Sequence, residues 1–277
     1  MMSSSRPNRF SFWFMALLLV SLVWLLPFAW VLLSSLKTYR ETVKLPIDFL
    51  PASFTNLANY RELLVRLNFI AYYKNNLIVT AGILLPQLFF SSLAAYAFAR
   101  IEFPFRDAIF VSLLVALMVP IQMILMPRYN MMIKFGWFDT YWAVIVPSIP
   151  SVTTTFFIRQ QILSLPKSLD ESAYMDGAGH FRIYWSIIMP LCKSALLAMG
   201  IMCVVFAWND FLWPLVVINK ESRYVLSIAV ANLQGQNLTR DNLLLTAAVL
   251  VSAPIVTLFL CLQRNFVEGV AMSGIKE

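Results

Sequence analysis

The sequence predicts an all-α integral membrane protein with about six transmembrane helices, organised as a single transmembrane domain over residues 1–277. Hydrophobic residues make up 60% of the chain, charged residues only 13%, and the mean hydropathy is +0.74. Soluble domains carry about 25% charged residues, so this chain lacks the polar side chains needed to cover a water-exposed surface. Six apolar runs are long enough to cross a bilayer. They cover residues 12–36, 77–98, 108–126, 141–158, 191–217 and 243–262.

The first apolar run is predicted to be a retained transmembrane helix. Arg6 and Arg9 precede it, but it is too long for a signal sequence and no small-residue cleavage site follows it. Every run contains proline, which kinks a helix because its nitrogen carries no hydrogen-bond donor. Two interpretations stay open: ordinary proline usage in membrane helices, or kinked helices around a pathway that changes shape. The prolines are Pro27, Pro86, Pro120, Pro147, Pro150, Pro214 and Pro254.

The charged and metal-ligating residues exclude several other classes of protein. The net charge is +7, but Lys and Arg lie almost wholly between the apolar runs, so no nucleic-acid-binding face is predicted. Cys192, Cys203 and Cys261 lack C-x-x-C spacing and His180 is the single histidine, so neither disulfides nor a metal site are predicted. A cytoplasmic N-terminus would place ten of the 21 Lys and Arg residues inside and eleven outside. The positive-inside rule therefore does not orient the chain.

Two connecting segments are long enough to fold, residues 37–74 and residues 159–190. In the second, Ser168 and Glu171 have the spacing of a capping box, which predicts that a helix begins at Ser168. Gly177 suits the left-handed conformation that ends a helix, so the helix has about two turns. A helix this short is not stable alone in water, and a packing partner is therefore expected.

A second, amphipathic helix is predicted after Gly179. Its apolar stripe has helical spacing, and Pro190 then opens the next apolar run. Periodicity alone leaves two interpretations of the whole segment open, an interfacial hairpin without a partner and a docking site. The stripe consists of Phe181, Tyr184, Trp185 and Ile188.

This segment resembles the E-A-A signature of the membrane subunits of ABC importers, E-A-A-x-x-x-G-x9-I-x-L-P. The chain has Glu171-Ser172-Ala173, then Gly177, Ile187 and Met189-Pro190 at the spacing of the signature. The departures are Ser172 for Ala and Met189 for Leu, and both change the side-chain volume little. The match over twenty residues is specific.

Three further stretches make the chain similar to the carbohydrate-uptake permeases and, among them, to the smaller membrane subunit of the maltose transporter. They are SLAAYAFAR at residues 92–100, WNDFLWPL at residues 208–215, and the terminal residues 263–269 with 273–276. The resemblance covers most of the chain and implies the type I ABC importer permease fold. It also implies an extracytoplasmic loop at residues 37–74, a cytoplasmic coupling loop at residues 159–190 and a cytoplasmic tail at residues 263–277.

The resemblance implies a mechanical role for the coupling loop. In the family, the glutamate that matches Glu171 pairs with basic groups in a cleft of a cytoplasmic ATPase, and the glycine that matches Gly177 permits the tight turn. Closure of the ATPase dimer on nucleotide would pull the loop and move the membrane helices. The expected ATPase-coupling residues are Glu171, Ser172, Ala173, Asp176, Gly177, Gly179 and Pro190. The expected ATPase contacts of the tail are Phe266, Gly269 and Lys276.

The chain is not expected to be an enzyme or to bind a cofactor. It contains no G-x-x-x-x-G-K-[ST] phosphate loop, so ATP would be bound by a partner. The resemblance implies a heterodimer with a second related permease subunit, two ATP-binding cassette subunits and an extracytoplasmic solute-binding protein. It also implies a bacterial or archaeal cell (inner) membrane, with both termini cytoplasmic because the coupling loop must face the ATPase.

The expected function is import of a sugar or oligosaccharide, with this chain forming half of the pathway. A polyol or glycerol-phosphate-type solute is the alternative. An ion-coupled secondary transporter, from a different class, would require paired intramembrane acids and internal repeats. Asp210 is the one acid within an apolar run, so Trp208, Asn209 and Asp210 are candidate pathway residues. An interfacial Asp210, and an interfacial aromatic belt formed by Trp208 and Trp213, remain open as structural alternatives.

Overall fold

Every regular element in the described part of the chain is helical, which confirms the all-α prediction. The computed structural model describes the backbone of residues 9–235 and 240–274, and side chains within residues 13–234 and 240–261. The helices are α1 Arg9–Ser35, α2 Tyr39–Val43, α3 Ala58–Arg61, α4 Phe69–Arg100, α5 Arg106–Ala116, α6 Leu125–Lys134, α7 Tyr141–Ile145, α8 Val152–Ser164, α9 Ser168–Met175, α10 His180–Ile183, α11 Met189–Leu191, α12 Lys193–Asn209, α13 Leu212–Val217, α14 Leu226–Gly235 and α15 Asp241–Gly274. Short segments of 3-10 helix (Ile121–Ile124, Val146–Ser148, Glu221–Arg223) and π-helix (Glu62–Arg66, Tyr184–Ile188) connect some of them.

The candidate membrane spans agree with the prediction of about six. Four stretches are long and apolar enough to cross a bilayer, namely Trp13–Ser35, Phe69–Arg100, Tyr141–Ser164 and Asp241–Cys261. Two bent helix pairs, Arg106–Ala116 with Ile121–Lys134 and His180–Leu191 with Lys193–Asn209, raise the number to six when each pair counts as one span. The pairs bend by 95° and 79°.

The prolines act in two ways in this fold. Pro27, Pro86 and Pro254 lie inside the continuous helices α1, α4 and α15. Pro120 lies at the 95° bend, where its missing N–H donor ends one helix before the next begins. Pro147 and Pro150 similarly separate α7 from α8. Prolines therefore occur both inside continuous helices and at helix breaks, and membrane helices tolerate both.

Hydropathy predicted the start of α4 too late and the end of α8 too early. Helix α4 begins at Phe69 instead of residue 77, and α8 continues to Ser164 instead of ending at residue 158. The added turns contain polar residues such as Lys74, Asn75 and Arg159. An apolar-run criterion excludes such residues, although their backbones still complete helical hydrogen bonds.

The chain divides into two compact units, and the first combines residues 1–69 with residues 230–254. Its centre is the buried Asn59, whose side-chain amide donates to the carbonyls of Ser35 and Lys37, each at 2.8 Å. These carbonyls lie at the end of α1, where no intrahelical donor is available. Asn242 at the start of α15 donates to the Asn59 side-chain oxygen at 2.7 Å, so the two helix ends are joined.

The second unit combines residues 70–229 with residues 255–277. Helix α4 has 32 residues and therefore a length of about 48 Å. Two separate apolar clusters pack along it. The cluster nearer its start includes Val79, Ile83, Ala143, Val144, Trp213 and Val217. The cluster nearer its end includes Ala95, Tyr96, Ala99, Ile158, Ile162, Ala173, Ile183, Tyr184 and Ile188.

Candidate functional site

Helix α9 begins at Ser168, as predicted, but the predicted capping box is wrong. Lys167 is the N-cap residue, and its carbonyl accepts from the N–H groups of Asp170 and Glu171 at 2.9 and 3.1 Å. No side chain in the described residues caps this end of α9. Pro166 imposes a helical φ and Lys167 already has helical angles, so Ser168 lies inside the first turn. From there its hydroxyl cannot serve as an N-cap acceptor.

The other end of α9 is the predicted glycine cap. Gly177 has a φ of +77°, in the left-handed region that favours glycine. Its N–H donates to the Tyr174 carbonyl, and the Ala178 N–H donates to the Ala173 carbonyl, both at 2.9 Å. This pair of bonds is a Schellman motif, which satisfies carbonyls that would otherwise lack a donor. The prediction for Gly177 is confirmed.

One side of α9 is fixed to the end of α4 by a buried ion pair. Arg100, the last residue of α4, places its Nε 2.7 Å from the Asp170 Oδ2, and both side chains are under 10% exposed. The Arg100 Nη2 also donates to the Leu165 carbonyl at 2.9 Å. Ala173, one turn after Asp170, is buried in the apolar cluster near the end of α4. Among the predicted coupling residues, Ala173 is the one whose side chain is buried against the rest of this chain.

The opposite side of α9 is exposed and carries acidic and apolar groups together. Glu171, Ser172 and Asp176 are exposed, and Met175 is 88% exposed. Three further residues that were predicted to contact the ATPase are also exposed, namely Gly177, Gly179 and Pro190. An exposed methionine beside two carboxylates is suited to a partner surface that combines an apolar cleft with basic groups.

The second helical segment forms, and its predicted apolar stripe is divided between the interior and the surface. Tyr184 and Ile188 are buried, whereas Phe181 and Trp185 are 65% and 58% exposed. Ile183, which is outside the predicted stripe, is also buried. The residues from Tyr184 to Ile188 form a π-helix, whose wider turn departs from the α-helical spacing on which the stripe was predicted. Phe181 and Trp185 stack on one another, with ring centroids 6.5 Å apart and planes 12° apart.

Aromatic hydroxyls link the two helical parts of the segment to α4. The Tyr174 hydroxyl lies 2.5 Å from the His180 Nδ1, and the Tyr96 hydroxyl lies 3.4 Å from the same nitrogen. The Tyr184 hydroxyl and the Ser92 hydroxyl are 2.8 Å apart. His180 is therefore part of a hydrogen-bond network, and no metal-ligand cluster occurs among the described residues.

A different polar network lies at the opposite end of α4. The Asn75 amide donates to the carbonyls of Ser222 and Tyr224 at 2.9 Å, and the Tyr141 hydroxyl donates to the Asn75 oxygen at 2.7 Å. The Tyr72 hydroxyl donates to the Glu221 carboxylate at 2.9 Å. The 165–190 segment and the 218–225 loop therefore contact opposite ends of one long helix.

Asp139 joins the loop between α6 and α7 to the 218–225 loop. Its Oδ1 accepts from the backbone N–H groups of Asn219 and Lys220 at 2.9 and 3.0 Å, and its Oδ2 lies 3.1 Å from the Arg223 Nη1. Burial acts to raise the pKa of Asp139, but these N–H donors and the charges of Arg223 and Lys220 outweigh it. The pKa of Asp139 is therefore below its ordinary value.

The candidate pathway residues Trp208, Asn209 and Asp210 lie at the break between α12 and α13 but have different surroundings. Trp208 is 3% exposed, and its ring centroid is 6.1 Å from that of Tyr73. Asn209 is exposed and donates to the Val205 carbonyl at 2.8 Å. Trp208 thus presents no open ring face in this structure, neither for stacking on a sugar nor for a membrane interface.

Asp210 is partly buried and lies between the end of α12 and Phe211, the N-cap residue of α13. Its backbone carbonyl accepts from the Ser227 hydroxyl at 2.7 Å. Trp213 is 3% exposed and donates through its Nε1 to the Ala143 carbonyl at 2.9 Å. The second tryptophan of this stretch is therefore also enclosed within the chain.

The predicted tail contacts fall near the edge of the described chain. Phe266 and Gly269 belong to helix α15, but their side-chain surroundings lie outside the described residues. Lys276 lies outside the described residues entirely.

The fold consists of several long apolar helices. A folded segment at the end of α4 carries a short helix with one exposed side. These features are typical of a multi-pass membrane permease. The chain belongs to the family of binding-protein-dependent transport system inner membrane components, whose model matches residues 87–272. Membership confirms the resemblance to ABC-importer permeases that the 171–190 signature indicated.

Relatives and a solved structure agree with this assignment. The chain is 33% identical to the arabinooligosaccharides transport system permease protein AraQ of Bacillus subtilis, covering 94% of this chain and 93% of that protein. It is 29% identical to the sn-glycerol-3-phosphate transport system permease protein UgpE of Brucella suis, covering 88% and 89%. A crystal structure of a bacterial ABC transporter involved in alginate import matches with a TM-score of 0.81 at 20% identity, covering 96% of this chain and 100% of that chain. The type I importer permease fold is thereby confirmed.

Proposed function

We propose that this chain is a permease subunit of an ATP-driven importer for a sugar or oligosaccharide and forms half of the translocation pathway. The observation that carries the proposal is the likeness to the arabinooligosaccharides permease over 94% of the chain, within a family of binding-protein-dependent transport components. A second related permease subunit completes the pathway, and an extracytoplasmic solute-binding protein delivers the solute. The chain binds no cofactor, because two partner ATP-binding cassette subunits bind and hydrolyse ATP.

The proposed orientation places the exposed face of α9 in the cytoplasm of a bacterial or archaeal cell. The 159–190 segment then forms the cytoplasmic coupling loop, and the 218–225 loop at the other end of α4 is extracytoplasmic. With six spans, both termini are cytoplasmic, and residues 37–74 lie on the outer side. This orientation rests on the match of residues 171–190 to the E-A-A signature.

In this proposal the exposed face of α9 docks into a cleft of the ATPase. Glu171 and Asp176 supply negative charge for basic groups in that cleft, and Met175 supplies an apolar contact. Gly177 ends the helix and turns the chain back towards the membrane, with Gly179 and Pro190 shaping the return. In the tail, Phe266, Gly269 and Lys276 form a second contact with the ATPase.

Movement of the ATPase reaches the membrane helices through the buried side of the same segment. The Arg100–Asp170 ion pair and the burial of Ala173 join α9 to the end of α4. Since α4 also contacts the 218–225 loop at its start, displacement of α9 acts on a helix that contacts both membrane faces.

A glycerol-phosphate-type solute is the second candidate, since a relative of similar coverage is the sn-glycerol-3-phosphate permease. Uptake assays in cells that express the complete transporter separate the two. We expect energy-dependent uptake of radiolabelled arabinotriose. Uptake of radiolabelled glycerol 3-phosphate alone would favour the second candidate.

The docking role of α9 is tested by Glu171→Lys. We expect this variant to lose copurification with the ATPase subunit in mild detergent and to lose uptake, because the exposed carboxylate is replaced by a cation. Glu102→Lys is the matched control, because Glu102 is an exposed acid in the neighbouring 101–105 loop. Retention of the ATPase by Glu171→Lys, or equal loss in both variants, would contradict docking through this face.

A further inference from the structure

Arg128 is a cation inside a candidate membrane span. It lies in α6, in the second half of the bent pair Arg106–Ala116 with Ile121–Lys134. Ionisable residues at such positions are rare, face a protein interior or an aqueous cavity, and mark solute pathways. Arg128 is partly exposed in this chain, so its side chain is not sealed within the helices that surround it.

The Arg128 guanidinium is held in one orientation by two neighbours. Its Nη2 donates to the Ser148 hydroxyl at 2.9 Å, and its central carbon lies 4.0 Å from the centroid of the Trp213 ring. The buried indole provides a flat surface for the planar cation. The Arg128 Nε is enclosed and has no hydrogen-bond partner, and the Nη1 group makes no hydrogen bond with the described residues either. The guanidinium is thus preorganised, and because the side chain is partly exposed, Nη1 and not the enclosed Nε is the donor available to a solute.

Asp210 supplies the complementary group. Asp210 lies three residues before Trp213, the residue whose ring contacts the Arg128 guanidinium, and the charge of Asp210 acts on Arg128. The ion pairs of the described residues do not include one between these two side chains. The Asp210 side chain is partly exposed and has acceptor capacity for a solute, since an ionised carboxylate offers about four lone-pair positions. The cationic donor of Arg128 and the anionic acceptor of Asp210 therefore lie near each other without pairing directly.

We infer that Arg128 and Asp210 form a contact site for the transported solute, and that they bind neighbouring hydroxyl groups of a neutral carbohydrate. A hydroxyl both donates and accepts, so adjacent hydroxyls can donate to Asp210 and accept from Arg128. An anionic group would gain from Arg128 but would be repelled by Asp210. The inference deepens the proposed function and rests on it.

The site would meet the solute early in transport. Arg128 is seven residues from Phe135, which places it about 10 Å along the helix from the 135–140 loop. In the proposed orientation that loop is extracytoplasmic. The site therefore lies within about two helical turns of the outer loop, on the side from which a solute released by a binding protein enters.

The test measures initial rates of arabinotriose uptake by cells that express the complete transporter. Arg128→Met is expected to raise KM about tenfold, as for loss of a hydrogen bond to a charged group, with little change in the maximal rate or in the membrane level of the subunit. Arg128→Lys keeps the charge and should recover part of the affinity. Lys134→Met is the matched control, since Lys134 is an exposed cation on the same helix.

The outcomes separate the site from the proposed function. Uptake by the wild-type transporter tests the function, whereas the ratio of variant to wild-type KM tests the site. An unchanged KM in Arg128→Met, or a loss confined to the maximal rate and the protein level, would overturn the inference. So would an Asp210→Asn variant that leaves the arabinotriose KM unchanged and lowers the KM for glycerol 3-phosphate, because that result assigns the site to an anionic solute.

Discussion

Arg100 and Asp170 form a buried ion pair that joins the end of helix α4 to the first turn of helix α9. The nitrogen–oxygen distance is 2.7 Å, and the same guanidinium donates to the Leu165 carbonyl at 2.9 Å. Leu165 and Asp170 flank the start of α9, so one arginine holds both sides of that turn. The short helix is therefore fixed by charge-assisted contacts as well as by apolar packing.

Removing one member of this pair is expected to destabilise the protein strongly. Arg100→Met leaves the Asp170 carboxylate buried without its cation, a change that costs about 3–5 kcal/mol in other buried pairs. The double variant Arg100→Met with Asp170→Leu removes both charges and should regain most of the thermal stability of the detergent-purified complex. The double variant should still take up less solute per ATP hydrolysed than the wild type, because the ion pair that links α9 to α4 is absent.

The control for this experiment is the exposed pair of Arg106 and Asp107, whose nitrogen–oxygen distance is 3.1 Å. Exposed pairs contribute under about 1 kcal/mol, so Arg106→Met should leave both stability and uptake nearly unchanged. If the double variant transports as efficiently per ATP as the wild type, the ion pair has no part in transmission and serves stability alone.

Asp139 predicts an acid-sensitive contribution to stability. Its pKa is lowered in the folded protein, against the effect of burial, by the N–H groups of Lys220 and Asn219 and by the charges of Arg223 and Lys220. A lowered folded-state pKa stabilises the protein above the pKa of the unfolded state, and this contribution is lost as the pH falls through the folded-state value. The loss therefore occurs below about pH 4.

The measurement is the thermal unfolding of the purified complex as a function of pH. Asp139→Asn keeps the short side chain, tolerates the positive φ of 58°, and retains an oxygen for the backbone donors. We expect this variant to be less stable at pH 7 and to lose less stability than the wild type between pH 5 and pH 3. Parallel curves for the two proteins would show that Asp139 does not titrate in this interval.

Hydropathy and local backbone rules predicted much of this structure from the sequence. The six apolar runs correspond to the candidate spans. A lipid-facing helix needs no polar face, so it appears in the sequence as a long run of apolar residues. Gly177 could be assigned to a helix end because the left-handed conformation is a property of one residue. These features depend on short-range chemistry, which is why they were predictable.

The features that were mispredicted or missed depend on changes in local helix geometry or on tertiary contacts. Ser168 matched a capping box, but Lys167 is the N-cap residue and already has helical angles, and the π-helix over Tyr184–Ile188 interrupts the predicted α-helical spacing. The Arg100–Asp170 pair joins residues seventy positions apart, so spacing along the chain gave no sign of it. The one available signal was an arginine directly after an apolar run, and such a residue is usually solvated at the interface.

Gly177→Ala should weaken the coupling loop without removing any side-chain contact. The φ of +77° is unfavourable for a residue with a Cβ atom by about 1–2 kcal/mol, and this strain acts against the Schellman bonds that end α9. In the described structure no atom lies within 4 Å of the added methyl group, so crowding does not contribute. The expected result is a several-fold weaker association with the ATPase subunit in a titration of purified components.

Gly179→Ala distinguishes backbone strain from a general need for glycine in this turn. Gly179 has a φ of −78°, which alanine adopts freely, and its Cβ position is equally uncrowded in the described structure. Association with the ATPase should therefore match that of the wild type in Gly179→Ala while it falls in Gly177→Ala. Equal losses at both positions would mean that the ATPase approaches the backbone of the turn closely, and that close approach, not the helix cap, requires the glycines.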